Sequence, residues 1–295
     1  MTSSQTVAVD YKALPKIELH THLSDSISRQ CLHEIWLIKK GAGETSLQDP
    51  LVEMPLGKHD YDLKTHARLS SPLFSSYIYN LINDVATLRY ATLSVLRDFA
   101  ADGVVYLELR TTPRAMPGTG LTEADYVQTI LDAIEEFDVP GAFARQTLPR
   151  PRRCRHRPLR QPGRWIRRWV PIFEEARRIP GLGMTLHFAE AECSATDAEL
   201  DMLLGWRPDR IGHVIHVSDR VKKNIVRRSG LALELCLSCN VHAGMIHGGF
   251  ESQYSLWGVV EAEKTVVVLS TDDVGVFGSP LSNEYALVAR HFGLN

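Results

Sequence analysis

The fold assignment starts from Ile17-Glu18-Leu19-His20-Thr21-His22, a strand-like segment that contains two histidines at its end. Side chains alternate across a strand with a period of two, so His20 and His22 face the same side. Two imidazoles that converge from one strand are typical ligands of a divalent metal ion. Surface histidines also occur in such pairs, so the metal interpretation depends on further ligand residues elsewhere in the chain.

The composition is that of an ordinary globular protein. The chain has 295 residues, of which 44% are hydrophobic and 23% charged, with a formal net charge of -2. This balance disfavours a nucleic-acid or membrane role for the chain as a whole. Five scattered cysteines favour a reducing compartment over a disulfide framework. The N-terminus has no signal-peptide pattern and no apolar run could span a membrane, so we expect a cytoplasmic protein.

Short apolar runs alternate with helical patterns along most of the chain. The strand-like runs are 17–22, 104–110, 184–187, 210–214, 231–237 and 266–270. The helical segments run from Ser24 or Asp25 to Gly41, over 72–99 and 123–137, from Thr196, over 218–229 and from near Ser282. Strands that alternate with helices imply a parallel sheet with helices outside. At this length the leading architecture is an α/β fold, a (β/α)8 TIM-type barrel.

Residues suited to chemistry follow the strand-like runs, where the active site of a βα barrel lies. Three imidazoles and one carboxylate among them form a combination that suits zinc: His20, His22, His187 and Asp272. This set leaves room for a water, which zinc acidifies enough to supply hydroxide near neutral pH. Glu190 is a candidate proton donor and His213 a candidate base for the proton of that water. Taken singly, His187 or His213 is more often a structural histidine, so the prediction depends on the whole set.

Six phrases of the chain resemble the adenosine deaminase family, in the same order: LPKIELHTHL, YLELRTTPR, TLHFAE, RIGH, ELCLSCN and STDD. The spellings ELRTTPR, STDDVGVF and LSNEY are closer to the adenosine deaminase-like branch, which acts on N6-methyl-AMP. The resemblance covers most of residues 14–138 and 171–292. It implies a zinc-dependent hydrolytic deaminase on a βα barrel.

The resemblance also implies a role for individual residues. One zinc ion per chain would be held by His20, His22, His187 and Asp272. Glu190 would protonate the purine ring nitrogen next to the attacked carbon. His213 would assist and stabilise the attacking hydroxide, and Asp273 would orient it.

Several residues match positions that contact the nucleotide in this branch. The matching loop consists of Thr111, Thr112, Pro113 and Arg114, and Arg114 carries the charge that a phosphate requires. Further expected substrate contacts are His22, Ser24, Tyr79 and Asp273. Ser24 and Asp25 stand where the branch usually has Asn-Gly, so the contact at Ser24 departs from the family pattern.

The implied reaction is the hydrolysis of N6-methyl-AMP to IMP and methylamine. The alternatives are deamination of adenosine or adenine, or a catalytically defective or nucleic-acid-binding product of the same gene. We expect a monomer whose partner is a small purine nucleotide or nucleoside, with no membrane role and nucleic acid disfavoured. The spacing Cys236-x-x-Cys239 resembles a redox or zinc pair, but we interpret it as fortuitous because it lies within ELCLSCN.

Residues 139–170 depart from the family pattern. They are rich in arginine and proline and predict neither a strand nor an amphipathic helix. The family has its third and fourth barrel strands here, so we expect six strands and an incomplete barrel, which also ends early in its closing helices. The abrupt change favours a shifted reading frame or a mis-joined gene segment, with an arginine-rich nucleic-acid-binding insert as the alternative. We therefore expect one domain over 1–295, with a helical lid insertion over about 23–100.

Overall fold

The computed structural model describes residues 9–55, 72–116, 118–137, 143–147, 170–252 and 265–292. Within these ranges the strands are β1 Lys16–His22, β2 Val104–Arg110, β3 Phe143–Thr147, β4 Thr185–Phe188, β5 Arg210–His213, β6 Ala232–Leu235 and β7 Val266–Leu269. Parallel pairing joins them in the orders β1-β2-β3 and β4-β5-β6-β7. The predicted parallel sheet is thereby confirmed.

Helices connect these strands. They are α1 Leu23–Ser26, α2 Arg29–Gly41, α3 Pro50–Glu53, α4 Pro72–Leu81, α5 Val85–Ala101, α6 Glu123–Glu136, α7 Val170–Ala176, α8 Asp197–Gly205, α9 Asp219–Val226, α10 Leu237–His242, α11 Val274–Phe277 and α12 Leu281–Phe292. No helix of the described ranges has the length and apolar character that crossing a bilayer requires.

The two groups of strands meet where β1 runs beside the end of β7. The backbone N–H of Asp272 donates to the carbonyl of His20 at 2.8 Å, and the N–H of His22 donates to the carbonyl of Asp272 at 3.1 Å. The buried carboxylate of Glu18 accepts from the backbone N–H groups of His20 and Thr271 at 2.8 and 2.9 Å. The strands therefore follow a TIM-type barrel, whose wall is open between β3 and β4 within the described ranges.

The prediction of six strands, with none in 139–170, is wrong in one place. Residues Phe143–Thr147 form β3 and pair with β2 in register from Tyr106↔Phe143 to Arg110↔Thr147. Strand formation depends on the neighbouring strand as much as on local composition, so a short run can pair without a clear pattern of its own. The rest of the arginine-rich segment, up to residue 169, lies outside the described ranges.

Two predicted helices are each divided by a capping residue. The helix expected from Ser24 or Asp25 becomes α1 and α2, because the Ser28 side chain accepts from the backbone N–H of Cys31 at 3.3 Å. The helix expected over 72–99 becomes α4 and α5, because the Asp84 carboxylate accepts from the backbone N–H of Thr87 at 2.8 Å. An N-cap satisfies backbone groups that only a helix start leaves open, so each cap marks a boundary.

Apolar side chains pack in two clusters on these strands. One joins β2 to the helices α2 and α5 through residues such as Leu32, Leu96 and Leu109. The other joins β4 and β5 to α8 and α9, with Phe188 and Ile211 fully buried. Burial of one such side chain contributes roughly 1.5–3 kcal/mol, so these clusters hold the strands from which the site extends.

Candidate metal and catalytic site

The ends of β1, β4 and β7 bring the predicted metal ligands together. The Nε2 atoms of His20 and His22 lie 3.2 and 3.3 Å from Nε2 of His187. Oδ1 of Asp272 lies 3.3 Å from Nε2 of His20 and 3.1 Å from Nε2 of His22. Its separation from Nε2 of His187 is 4.0 Å. Four donor atoms from three parts of the chain therefore lie close together.

This arrangement fits a single metal ion. Ligand atoms at about 2.0–2.1 Å from an ion and at tetrahedral angles lie about 3.3 Å from one another. Of the five separations given above, only that between His187 and Asp272 is clearly longer, at 4.0 Å. The Oδ1 atom of Asp272 is buried, and no described group donates a well-directed hydrogen bond to it although two imidazoles lie within 3.3 Å. A cation would satisfy this oxygen and the converging imidazoles together.

The imidazole of His20 is oriented by a buried carboxylate. Its Nδ1 lies 2.7 Å from Oε2 of Glu234, which leaves Nε2 for the metal position. Burial and the Arg110 guanidinium lower the pKa of His20. The imidazole therefore stays neutral, which is the form that binds a metal ion.

Glu234 is itself held by cations inside the barrel. Its carboxylate accepts from Nη2 of Arg110 at 2.6 Å, from Nε of Arg210 at 3.0 Å and from the Thr185 hydroxyl at 3.1 Å. Burial alone would raise the pKa of Glu234, but Arg110, His20 and Arg210 lower it well below its usual range. The sequence interpretation missed Glu234, although a charged residue within the apolar run 231–237 was a signal for it.

His213 and Glu190 lie beside the four donor atoms. Nε2 of His213 is 3.5 Å from Oε1 of Glu190 and 3.6 Å from Oδ2 of Asp272. Nδ1 of His213 lies 2.9 Å from the Asn240 carbonyl oxygen, Oδ1, so Nδ1 carries the hydrogen of the neutral ring and Nε2 can accept a proton. His213 also lies within ligand range of His20, His187 and Asp272, but its closest approach is to Oδ2 rather than Oδ1. His213 therefore lies beside the four donor atoms and is not counted among them.

The carboxylate of Asp272 has a second contact that the sequence interpretation missed. The Cys239 thiol donates to Oδ2 at 3.1 Å, and both residues are fully buried. Burial and the nearby carboxylates of Asp272 and Asp273 raise the pKa of Cys239 well above its usual range, so the thiol keeps its hydrogen. Burial would also raise the pKa of Asp272, but His213, His20 and His22 hold it well below its usual range. Both Cys236 and Cys239 are free thiols.

The backbone at the site is in an uncommon conformation. Ala189, His213 and Asp272 have φ angles of 51°, 61° and 60°, in the left-handed region. This costs a residue with a side chain about 1–3 kcal/mol and persists only where the surroundings hold it. These three residues lie directly after β4, at the end of β5 and three residues after β7, respectively. Asp273 follows directly, fully buried, with a carboxylate oxygen within 4.8 Å of ligand atoms of His22 and Asp272.

The structure also brings two of the expected nucleotide contacts together. The Arg114 guanidinium lies over the Tyr79 ring, 4.7 Å from its centroid, and donates to the carbonyl of Ile82. The Thr111 hydroxyl shares a hydrogen bond of 2.9 Å with the Tyr126 hydroxyl. Of the other expected contacts, Thr112 is exposed and Pro113 partly buried, and the Ser24 hydroxyl donates to the Asp25 carboxylate at 3.1 Å.

Comparison with known proteins gives consistent matches. The adenosine deaminase family model matches residues 15–144 and 158–295. N6-methyl-AMP deaminase-L of Xenopus laevis is 30% identical over 314 residues, which cover 96% of this chain and 85% of the relative. Human N6-methyl-AMP deaminase is 28% identical over 319 residues, with 96% and 85% covered. A solved structure of Arabidopsis ADAL complexed with IMP has a TM-score of 0.74 at 27% identity, over 97% of this chain and 88% of that one.

Proposed function

The chain belongs to the adenosine deaminase family, and on this premise we propose that it deaminates a purine nucleotide by hydrolysis at the 6-position. The proposed substrate is N6-methyl-AMP, and the products are IMP and methylamine. A relative at 30% identity has this activity in its name, and a similar solved structure is a complex with IMP. The observation that carries the proposal is the convergence of four metal-type donor atoms beside a carboxyl group and an imidazole.

The ion we assign to this site is zinc, held by His20, His22, His187 and Asp272. Three imidazole nitrogens and one carboxylate oxygen are a combination that zinc prefers. When bound, the ion acidifies water and so makes hydroxide available near neutral pH.

The protein side chains supply the proton transfers of the proposed reaction. Glu190 donates a proton to the ring nitrogen next to the attacked carbon, which makes that carbon more electrophilic. Nε2 of His213 accepts the proton of the attacking water, because its Nδ1 hydrogen is engaged by Asn240. Asp273 orients the oxygen nucleophile. The new C–O bond forms, the C–N bond breaks, and the amine leaves with a proton, which balances the hydrolysis.

The preference for a nucleotide is assigned to Arg114. Its guanidinium is held in one orientation by the Tyr79 ring and the Ile82 carbonyl. A guanidinium whose orientation is fixed loses little entropy on binding a phosphate. Thr111, Thr112 and Pro113 belong to the same loop, and the remaining proposed substrate contacts are His22, Ser24 and Asp273.

The test is a comparison of N6-methyl-AMP, AMP and adenosine as substrates of the purified, zinc-loaded chain. We expect methylamine and IMP from N6-methyl-AMP, with slower turnover of the other two compounds. Faster turnover of adenosine than of N6-methyl-AMP would show that the preferred substrate is a nucleoside. A zinc-loaded chain that releases neither ammonia nor methylamine would refute the deaminase proposal.

A further inference from the structure

One short helix contacts two residues of the site at once. Helix α10 follows β6 and carries Cys239 and Asn240. Cys239 donates to Oδ2 of Asp272 at 3.1 Å, and Asn240 accepts from Nδ1 of His213 with a separation of 2.9 Å. A displacement of α10 would therefore disturb a proposed metal ligand and the proposed base together.

The start of α10 is held by a carboxylate from a distant part of the chain. Glu284, on α12, accepts the backbone N–H of Ser238 at 3.1 Å and also accepts the Ser238 hydroxyl. The Ser279 hydroxyl donates to the same carboxylate at 3.0 Å. Glu284 is 0% exposed and Ser238 is 1% exposed, so solvent does not compete for these hydrogen bonds.

Packing alone does not account for Glu284. A buried carboxylate loses its hydration, and an apolar side chain of similar size would fill the same space without that cost. The cost is evident because burial raises the pKa of Glu284 to about 7. Unlike an apolar side chain, a hydrogen-bond acceptor can bind the N–H groups at the start of α10, which have no partner within the helix.

We propose that Glu284 is a positioning residue, which sets Asp272 and His213 through Ser238 and helix α10. This proposal rests on the proposed function for the reaction that it serves. It also predicts a change at the metal site that can be measured without any turnover. Glu284 is assigned no contact with the substrate.

The chain offers a matched control for this test. Asp102 accepts the backbone N–H of Ser282 at 2.9 Å and its hydroxyl at 2.5 Å, which is the same pair of donor groups. Ser282 lies on α12, as Glu284 does, but Asp102 has no contact with α10 among the hydrogen bonds of the described residues. Glu284→Gln and Asp102→Asn each convert a carboxylate to an amide, and Ser238→Ala removes one donor from α10.

Three measurements distinguish a positioning role from a merely structural one. They are the steady-state kinetics with N6-methyl-AMP (kcat and KM), the rate of zinc loss to a chelator, and the visible spectrum of the cobalt-substituted chain. For Glu284→Gln and Ser238→Ala we expect kcat to fall roughly ten- to a hundredfold, with KM changed less than about twofold. Zinc loss should accelerate, and the cobalt spectrum should shift. Asp102→Asn should lower Tm without changing any of the three.

The proposal is overturned if Glu284→Gln lowers Tm as Asp102→Asn does while kcat, zinc loss and the cobalt spectrum stay at wild-type values. If Glu284→Gln does not fold, Ser238→Ala carries the same test, and wild-type values there overturn the proposal. A wild-type chain without deaminase activity would refute the proposed function alone. Zinc loss and the cobalt spectrum would then still decide the role of Glu284.

Discussion

Glu190 and His213 are neighbours in the site but are assigned opposite proton transfers. The exposed fraction of Glu190 is only 7%, and its carboxyl lies 3.5 Å from the His213 imidazole. Glu190→Gln keeps the shape of the side chain but cannot donate a carboxyl proton. We expect kcat to fall about 10²–10⁴-fold. Zinc content measured by atomic absorption should be unchanged, because Glu190 is not one of the four donors. Wild-type turnover by this variant would exclude Glu190 as the acid.

Arg114 is the residue that we propose distinguishes nucleotides from nucleosides. Arg114→Met keeps an unbranched stem but removes the guanidinium and its charge. We expect KM for N6-methyl-AMP to rise roughly ten- to a hundredfold, which corresponds to a charged hydrogen bond of about 1.5–3 kcal/mol. Turnover of N6-methyladenosine, which has no phosphate, should change little. Equal losses with both compounds would show that Arg114 does not bind the phosphate.

Some residues of the site can be recognised in the sequence, whereas others are identified only by their contacts in the structure. His20, His22, His187 and Asp272 stand in recognisable phrases at strand ends, and the structure brings all four together. Glu234 contacts His20 and Cys239 contacts Asp272, while Asn240 contacts the neighbouring His213, and only the fold creates these contacts. The hydrogen bond between His20 and Glu234, for example, joins residues 214 positions apart.

Because Glu284 joins helix α12 to helix α10, we expect the stability of the protein to depend on pH. Burial raises the pKa of Glu284 from an ordinary value of 4.5 to about 7. The folded chain therefore binds this proton more tightly than the unfolded chain. The contribution to stability is fully present below about pH 4.5 and is lost as the pH rises through 7. The loss is roughly 3 kcal/mol over this window.

Urea denaturation of the wild type and of Glu284→Gln at pH 5 and pH 7.5 measures this contribution. The wild type should lose more unfolding free energy between the two pH values than the variant does. The difference between the two losses isolates Glu284 from other titrating groups. Equal losses would contradict a raised pKa at this position.

Element boundaries were predicted less well than element types. The patterns over 24–41 and 72–99 indicate helices correctly, but the caps at Ser28 and Asp84 divide each of them. Both serine and aspartate also occur within helices, so only the observed hydrogen bond identifies the cap. Strand β3 was missed because its pairing with β2 is a tertiary interaction.

At the scale of the whole molecule, the proposed ion links the two groups of strands. His20 and His22 lie on β1 and His187 lies on β4, whereas Asp272 lies three residues after β7. Zinc should therefore stabilise the fold, by about 2.7 kcal/mol when the free ion is at a hundredfold excess over its Kd.

Thermal unfolding with and without a chelator measures this link. Chelation should lower Tm of the wild type and of His33→Ala, a histidine that pairs with Asp49 away from the site. Chelation should leave Tm of His22→Ala nearly unchanged, because that variant has lost a ligand. A wild type whose Tm does not respond to the chelator would contradict an ion shared between the two groups of strands.

The barrel architecture follows from the alternation of strands and helices, and seven strands of it are present in the described ranges. The periodicity of apolar residues in the sequence indicates which segments are buried, but not which strands pair with one another to close the barrel. The contact of β1 with the end of β7 is therefore a result of the structure, although the phrases IELHTH and STDD predicted that their polar residues would meet.

The zinc dependence of methylamine release from N6-methyl-AMP tests the proposed function most sharply. The chain is stripped with a chelator, zinc is returned in steps, and the initial rate is measured beside that of Asp272→Asn. We expect no turnover without metal, a rate that saturates at one zinc per chain, and no recovery for the variant. Full turnover by the metal-free chain would contradict the proposed zinc-dependent deamination, as would one bound zinc per chain with no methylamine released.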